Sequence, residues 1–287
     1  MDKVVEKMLD IPELDVHLHR PFEEIANIKD TIQTMKECDY AIIKASNKIS
    51  MDLLFLAREY GIPCLHDYDA VLTCRSKIRA DIRLRQIFKK YDDKLGHIML
   101  PVPESWVVCI NTPKRYQKFK KWAEDKLPLI FKSHSQHDKN IRFSYLARNM
   151  EELEGFYERN KDMLMYAVYV QDEIPCDDID RKLYVVGDTI YGIRRRSPLT
   201  VCLEKNLDHI DVETIEKEEY TVSEDVYKLM RILSKELGLK MFGFDLIKKI
   251  DEDKYYLIDV NDFPGYRGVT DIDDIIINYF KKILEID

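Results

Sequence analysis

Runs of apolar and polar residues predict an alternation of strands and helices over the first hundred residues. Asp39–Lys44 is typical of a buried strand, and Ile62–Leu65 is typical of a second one. Between them, apolar residues recur with helical spacing over Met51–Tyr60, with Ser50 as the cap and Gly61 as the end. This β-α-β order predicts a parallel sheet with a right-handed crossover.

A basic helix is predicted to follow this unit. Its cations recur on one helix face with a lysine beside them: Arg75, Arg79, Arg83 and Lys77. The proline pair in the segment Pro101–Pro103 is typical of a linker between lobes. We therefore expect a first lobe over residues 1–100.

Beyond this linker, the pattern predicts two further lobes in which helices and antiparallel strands mix. For the second lobe, residues 101–165, the predicted elements are strands Ser105–Ile110 and Leu129–Ser133 and helices from Pro113 to about Lys126 and near Met150–Lys161. For the third, residues 166–287, they are the strand Tyr166–Val170, the hairpin Arg181–Val186 with Thr189–Arg195, the helix Ser223–Gly238, the hairpin Phe242–Lys249 with Tyr255–Val260, and a closing helix. The predicted fold class is α/β plus α+β, in three lobes.

Composition narrows the classes of function. Of the 287 residues, 45% are hydrophobic, which is enough to bury a large core. No apolar run approaches the roughly 20 residues of a membrane helix, and we expect neither a membrane span nor a secretory signal. The net charge of −8 argues against a nucleic-acid partner. The six scattered cysteines, without a Cys-x-x-Cys pair, are typical of a protein of the reducing cytoplasm.

Glycine is scarce, and the positions of the glycines exclude two nucleotide-binding motifs. The chain has 9 glycines, and neither Gly-x-Gly-x-x-Gly nor Gly-x4-Gly-Lys can be drawn through them. The dinucleotide fingerprint and the P-loop are therefore absent from the sequence. If this protein binds nucleotide phosphates, it must hold them another way.

The second predicted hairpin brings two carboxylates together. If residues 250–254 form a five-residue turn, Lys249 pairs with Tyr255. Counting back from that pair places Asp245 directly opposite Asp259. Cross-strand neighbours have Cβ atoms about 5 Å apart, and like charges at that separation repel. Such a pair taken alone is therefore destabilising.

An amide completes the same face of this hairpin. Asn261 projects beside Asp259, and Gly243 opposite it leaves room. Two carboxylates and an amide form a hard oxygen site suited to Mg²⁺. The opposite face is apolar and suits a core layer: Phe244, Leu246, Ile258 and Val260. The alternative is a pair of solvated surface acids in another register, because a slip of one residue moves every side chain to the other face.

The first predicted hairpin adds positive charge. With a two-residue turn at Gly187-Asp188, Lys182 faces Ile193, and Arg195 lies diagonally on the same face. The other two arginines of the run point the other way: Arg194 and Arg196. Guanidinium groups suit phosphate recognition. The alternative for Arg194 or Arg196 is a charged, solvated edge strand.

Lys132 lies near the end of the apolar strand Leu129–Ser133, and the orientation of its side chain has two interpretations. Its ammonium group either turns inward toward a phosphate or extends to solvent from a strand end. The residue taken alone does not decide between them.

Taken together, these segments resemble the ATP-grasp superfamily. The features that carry the resemblance are an Asp on one hairpin strand, Asp-x-Asn on the next, a lysine ending a strand of the preceding lobe, and a hinge strand between them. Within the superfamily, three segments look most like the inositol trisphosphate 5/6-kinases: Met241–Ile247, Ile258–Gly268 and Arg181–Asp188. Parts of the pattern are also similar to glutathione-synthase-like and ribosomal-protein glutamate ligases. Tyr40–Lys44 further resembles a strand of the kinases, and the resemblance weakens before Asp39.

The resemblance implies a set of roles. Mg-ATP is expected between the second and third lobes, contacted by Lys77, Lys132, Gln171, Asp172, Glu173 and Ser197. One or two Mg²⁺ ions are expected on Asp245, Asp259 and Asn261. The residues expected to act on the transferred phosphate are Lys182 and Arg196. The residues expected to hold the acceptor are Lys139, Arg142, Gly265, Arg267 and Gly268.

Two departures from the family pattern accompany the resemblance. The loop Ser133–Asn140 offers histidines where the family places glycine over the phosphates. The expected first strand of the N-terminal lobe, with its lysine-rich turn, is also missing from the sequence. Both differences concern regions that would touch the phosphates of ATP or of the acceptor.

Three hypotheses for function follow. The first is a kinase that transfers the γ-phosphate of ATP to an inositol polyphosphate or a similar polyanion. The second is a carboxylate–amine ligase that works through an acyl phosphate, and the third is an ATP-binding scaffold without catalysis. The expected partner is a small polyanionic or carboxylate substrate, in a cytoplasmic protein, and the sequence leaves monomer and dimer open.

Overall fold

Helices dominate the N-terminal lobe. The computed structural model describes residues 2–20, 27–45, 47–97, 102–133, 143–205 and 210–286. The N-terminal helices are α1 (Asp2–Leu9), α2 (Ile28–Glu37), α3 (Lys48–Glu59), α4 (Tyr68–Arg75), α5 (Lys77–Lys90) and α6 (Asp92–Leu95). The two predicted strands are reduced, in the described residues, to one parallel bridge between Ala41 and Cys64 on either side of α3. The parallel order of the predicted β-α-β unit is therefore kept without an extended ladder.

Two helix boundaries differ from the sequence-based prediction. Asn47 caps α3 by accepting a 2.8 Å hydrogen bond from the Ser50 backbone N–H, so Ser50 lies inside the helix and is buried. Ser76 ends α4 and caps α5, accepting from the Arg79 backbone N–H. Arg75 and Arg79 consequently lie on separate helices, and the continuous arginine ridge predicted there is wrong.

The central lobe is a four-stranded antiparallel sheet covered by two helices. Its elements are β1 (Ser105–Val108), α7 (Pro113–Ala123), β2 (Leu129–Ser133), β3 (Ser144–Ala147), α8 (Met150–Asn160) and β4 (Val168–Asp172), with strand order β1-β4-β2-β3. Phe131 and Phe156 are fully buried between the sheet and the helices. The sequence pattern missed β3. It also assigned the strand that begins here at Val168 to the third lobe, whereas this strand hydrogen-bonds to β1 and β2.

The C-terminal lobe is a five-stranded antiparallel sheet. Its elements are β5 (Ile179–Val186), β6 (Thr189–Arg196), α9 (Pro198–Lys205), β7 (Glu218–Tyr220), α10 (Glu224–Leu237), β8 (Met241–Lys248), β9 (Tyr255–Asp262) and α11 (Ile272–Ile283), with strand order β7-β6-β5-β8-β9. The sheet packs with α10 and α5 in one apolar core and with α11 in another. The predicted extent of the helix Ser223–Gly238 is confirmed: Ser223 caps the start of α10 by accepting from the Val226 backbone N–H, and Gly238 ends the helix in the left-handed region.

The first hairpin has the predicted register. Gly187-Asp188 joins β5 to β6, and Lys182 pairs with Ile193. In the described residues, every helix is too short or too polar to cross a membrane.

Two glycines offer a matched test of this packing. Gly187 has a φ of +60°, and a Cβ there would lie 2.6 Å from Cε2 of Tyr279. Gly155 lies within α8, where a Cβ would meet nothing within 4 Å. We expect Gly187→Ala to lower the free energy of unfolding by about 1–3 kcal/mol and Gly155→Ala to raise it by up to about 1 kcal/mol. Urea unfolding measures both, and shifts of the same sign would contradict the backbone described here.

Candidate active site

The two carboxylates face each other as predicted, but the strand register nearer the turn differs from the predicted one. Asp245 pairs with Asp259 and Gly243 with Asn261 across β8 and β9. Nearer the turn, however, Lys248 rather than Lys249 pairs with Tyr255. A β-bulge next to Asp245 inserts one extra residue and restores the register. The bulge also changes the core face, because Leu257 is fully buried there and Ile258, predicted for that face, is only half-buried.

Two lysines from different lobes neutralise the pair. Lys182 lies directly opposite Asp245 on β5, and its Nζ donates a hydrogen bond to Asp245 Oδ2. Lys77, the first residue of α5, donates from Nζ to Asp259 Oδ1. The side chains of Lys77 and Asp245 are only 9% and 16% exposed. The carboxylates are therefore held together by ammonium groups in a mostly buried cluster.

The central lobe contributes a third lysine. Lys132 Nζ donates a 3.2 Å hydrogen bond to Oε1 of Gln171, which is 3% exposed on β4. Burial and the nearby Lys77 ammonium lower the pKa of Lys132 to about 8. The inward orientation of Lys132 is thus the one found, and its partner is the hinge residue Gln171.

The electrostatics of the cluster favour an ionised Asp259 carboxylate and a protonated Lys182. Burial by itself raises the pKa of Asp259, but the ammonium groups of Lys77 and Lys132 outweigh it and hold that pKa below its ordinary value. Burial likewise lowers the pKa of Lys182, and the Asp245 carboxylate reverses that effect and raises it. The site therefore presents the ionised Asp259 carboxylate and the Lys182 ammonium group together at neutral pH.

The oxygen set on β8 and β9 fits a hard cation. Among the described residues, no group of three or more His, Cys, Asp or Glu side chains is arranged around one point. The candidate set instead has two carboxylates and one amide, from Asp245, Asp259 and Asn261, on one face of one hairpin. Such a set suits Mg²⁺, which binds one or two carboxylates and completes its shell with phosphates and water.

A cationic pocket of about 140 Å³ adjoins the carboxylate pair. It is lined by Lys182, Tyr184, Ile193, Arg195, Val212, Lys217 and Arg267. Arg195 is 10% exposed on its side chain and lies 3.7 Å from Asp180, while its Nε is buried without a hydrogen-bond partner. An unpartnered buried guanidinium N–H is costly unless a ligand completes it, so this wall suits an anion.

One acid of the loop before β7 balances part of this charge. Glu213 pairs with Lys217 at 3.2 Å and also with the Arg267 guanidinium. Asp180 faces Arg195 from β5, and burial raises the pKa of Asp180. The pocket is lined by four cations, and these are partly neutralised by the neighbouring carboxylates of Glu213 and Asp180.

Several predicted site residues lie elsewhere. Arg196 is about half exposed and pairs with Glu204 at 2.6 Å, on the face of β6 opposite Lys182. Its neighbour Arg194 likewise pairs with Glu218 outside the pocket. The structure therefore does not bring Arg196 to the lysine cluster, and Arg195 occupies that place instead.

The predicted hinge and loop residues are placed as follows. Asp172 and Glu173 follow Gln171, and their backbone N–H groups donate to the carbonyls of Glu104 and Pro128. Ser197 donates its backbone N–H to Asp178 at 2.8 Å. Arg267 lines the pocket, and exposed Gly265 and Gly268 flank it in the chain. Two predicted acceptor residues lie outside the described residues: Lys139 and Arg142.

Some pocket residues escaped the sequence-based prediction. Arg195 could have been chosen, because strand alternation already placed it on the Lys182 face. Lys217 and Tyr184 carry no such signal, since one lies in a polar segment and the other in an apolar strand. Only the folded arrangement brings them to the pocket.

One family model and several curated proteins are similar to this chain in sequence. The family model described as "Inositol 1,3,4-trisphosphate 5/6-kinase ATP-grasp domain" matches residues 200–282, which include Asp245, Asp259 and Asn261. Similar curated proteins include inositol-tetrakisphosphate 1-kinase 1 from Oryza sativa subsp. indica, 28% identical over 150 residues, covering 46% of this chain and 42% of that protein. The enzyme of that name from Arabidopsis thaliana is 23% identical over 173 residues, covering 49% and 54%. The chain thus matches about half the length of these relatives.

Solved structures share the architecture. A RimK domain protein ATP-grasp from Sphaerobacter thermophilus superposes with a TM-score of 0.58 at 17% identity, covering 84% of this chain and 80% of that one. D-alanine–D-alanine ligase from Bacillus anthracis superposes with a TM-score of 0.62 at 16% identity, covering 91% and 84%. At these identities the likeness shows the fold. This chain has the ATP-grasp fold, and the sequence-based expectation of that fold is confirmed.

Proposed function

We propose that this chain is a Mg-ATP-dependent kinase whose acceptor is a polyanionic alcohol of the inositol polyphosphate kind. The observation that carries the proposal is that one residue, Lys182, belongs both to the carboxylate cluster and to the cationic pocket. Lys182 binds Asp245 of the carboxylate pair and also lines the cationic pocket. A phosphate leaving the first site would therefore enter the second beside the same ammonium group.

Each lobe has a part in the proposed reaction. Lys77, Lys132 and Lys182 would hold the phosphates of ATP, and the Gln171–Glu173 segment would face the adenosine. Bound Mg²⁺ would supply charge neutralisation on the β- and γ-phosphates, with Asp245, Asp259 and Asn261 as its protein ligands. Phosphoryl transfer depends mainly on positioning and electrostatics, so these side chains can provide most of what it needs.

The pocket is the proposed acceptor site. Arg195, Lys217 and Arg267 would bind the phosphates or other anionic groups of the acceptor, with the unpartnered Nε of Arg195 as one donor. The relatives named as inositol-tetrakisphosphate kinases support an inositol polyphosphate.

A carboxylate–amine ligase is the second candidate. Its support is the partial neutralisation of the pocket by Glu213 and Asp180, which suits an acceptor of lower charge. The ligase among the superposed structures shares the fold.

Turnover with a panel of acceptors separates these candidates. ADP formation is measured with Mg-ATP alone, with inositol tris- or tetrakisphosphate, and with a carboxylic acid and an amine separately and together. The kinase proposal predicts stimulation by the inositol phosphate alone. Stimulation that requires both acid and amine would favour the ligase, and no stimulation by any acceptor would count against both enzymes.

Affinity for Mg-ATP is expected to fall as the pH rises through about 8. Lys132 has a pKa of about 8, so its ammonium charge is lost above that pH. A guanidinium stays charged throughout this range, so Lys132→Arg should show a much flatter dependence between about pH 7 and pH 9.5. Titration calorimetry at each pH measures the effect. Identical pH dependence in both proteins would contradict the assigned role of Lys132.

The contribution of Lys132 to the free energy of unfolding is expected to rise with pH, whereas the affinity for Mg-ATP is expected to fall. The pKa of Lys132 in the folded protein is below the ordinary lysine value of 10.5, so the unfolded chain binds more protons between about pH 8 and pH 10.5. Lys132 therefore makes the free energy of unfolding rise with pH in this window, relative to Lys132→Met. Urea unfolding of the two proteins at several pH values checks the sign.

A further inference from the structure

A buried carboxylate joins the N-terminal lobe to the central sheet. Asp81 on α5 is 9% exposed. Its Oδ2 accepts hydrogen bonds from the Tyr169 hydroxyl at 2.7 Å and the Ser105 hydroxyl at 2.8 Å, and its Oδ1 accepts from Arg85 Nε at 2.6 Å. Arg85 also donates to the backbone carbonyl of Pro103 at 2.7 Å. We call Asp81, Arg85, Ser105 and Tyr169 the α5 clamp.

The clamp connects elements from two lobes at one point. Asp81 and Arg85 lie on α5, Ser105 begins β1, and Tyr169 lies within β4. The Arg85–Pro103 bond also fixes the chain that leads from the helices into the sheet. Because the group has donors matched to a buried carboxylate, it is a rigid joint rather than a surface ion pair.

Each side of the joint supports one of the lysines that are proposed to bind the phosphates of ATP. Lys77 is one helical turn before Asp81 on α5, and it binds Asp259. Tyr169 is the cross-strand partner of Lys132, and Gln171, which binds Lys132, follows two residues later on the same face of β4. The bond from Asp81 to Tyr169 therefore spans the gap between the supports of Lys77 and Lys132.

We propose that Asp81 is a positioning residue, which through the α5 clamp sets the separation of Lys77 and Lys132 and so the affinity for Mg-ATP. The inference rests on the proposed function, since it needs the two lysines to bind one triphosphate. Two ammonium groups held at a fixed separation need little reorganisation to grip a ligand. A loosened joint lets the central sheet move relative to α5 and spreads that separation over a wider range.

The sharpest test removes one hydroxyl. Tyr169→Phe deletes one bond to Asp81 and leaves the bonds from Ser105 and Arg85 in place, so the protein should fold. We expect the dissociation constant for Mg-ATP to rise about tenfold, while kcat at saturating ATP stays within about twofold. Tyr116→Phe is the matched control, because the Tyr116 hydroxyl is buried in the same lobe without a hydrogen-bond partner. It should leave both quantities unchanged.

A double-mutant cycle separates positioning from general loosening. In a Lys132→Met background, Tyr169→Phe should change the affinity for Mg-ATP by less than about threefold, because the residue that the clamp positions is gone. If Tyr169→Phe does not fold, Ser105→Ala serves in its place, with Ser105→Thr expected to restore the affinity by keeping the hydroxyl.

The outcomes distinguish this inference from the proposed function. Wild-type protein that binds Mg-ATP, together with a Tyr169→Phe variant that binds it equally tightly, would overturn the clamp alone. An equal loss of affinity in the wild-type and Lys132→Met backgrounds would also overturn it. Absence of Mg-ATP binding by the wild-type protein would overturn the proposed function and the clamp together.

Discussion

Replacing Asp259 by Asn is expected to leave the protein folded and to lower kcat for ATP turnover by more than about 100-fold. Outer-shell partners of a metal already cost 10- to 100-fold when removed, and Asp259 is proposed as a direct ligand. The substitution keeps the shape of the side chain and removes its charge. An amide oxygen still accepts from Lys77, which limits the damage to folding. ADP release with the preferred acceptor measures the effect.

The hairpin offers a matched control for this substitution. Asp253 lies in the turn between β8 and β9, where its side chain is 89% exposed and pairs with Lys248. Asp253→Asn removes the same charge from the same hairpin and should leave kcat within about twofold. If Asp259→Asn keeps its activity within about threefold of the wild type, the assignment of the metal site is wrong.

The second large effect is expected from Lys182→Met, which damages both sites at once. The substitution removes the ammonium group that holds Asp245 and a cation of the adjoining pocket. We expect kcat/KM for the acceptor to fall by more than about 100-fold, with a raised KM for the acceptor as well as a lowered kcat. Steady-state kinetics over both substrates separate the two components.

Charge and geometry can be distinguished at this position. Lys182→Met leaves Asp245 largely buried without its cation, so the free energy of unfolding should fall by a few kcal/mol, up to about 5. Lys182→Arg keeps the charge and should restore most of that stability but less of kcat. On the surface of α10, Lys228→Met breaks an exposed pair with Asp225 and serves as a control expected to be neutral. Full activity of Lys182→Met would exclude the shared role proposed for this lysine.

Strand alternation predicted the parts of the site that depend on local register. The pairing of Lys182 with Ile193 required only a two-residue turn, and that turn is present. The pairing of Asp245 with Asp259 is also correct, although the assumed turn was shorter than the one found by one residue. A bulge corrects the difference, and a bulge depends on backbone hydrogen bonding that residue patterns do not show.

The remainder of the site depends on contacts between distant segments. Lys77 reaches Asp259 across 182 residues of sequence, and Lys132 reaches Gln171 across 39. A resemblance to the family suggested the two lysines, but not their partners. The family resemblance placed Arg196 at the site, although strand alternation already put it on the face opposite Lys182. In the structure Arg196 pairs with Glu204, and Arg195 lies on the inner face beside Asp180.

The N-terminal lobe was the least predictable part of the fold. A mainly apolar segment such as Asp39–Lys44 is typical of a strand, but the ladder forms only where a neighbour lies at hydrogen-bonding distance along its length. In the described residues, that contact is limited to the bridge from Ala41 to Cys64. Tyr40 and Ile42 instead pack against the core beside α11.

The fate of the γ-phosphate tests the central proposal most directly. The protein is incubated with Mg²⁺, ATP labelled in the γ-phosphate and an inositol tetrakisphosphate, and the products are separated and examined by phosphorus NMR. The kinase account predicts labelled phosphate in a stable ester of the inositol ring, formed only with Mg²⁺ and lost in Asp259→Asn. Label recovered only as orthophosphate, released when a carboxylic acid and an amine are both present, would contradict it.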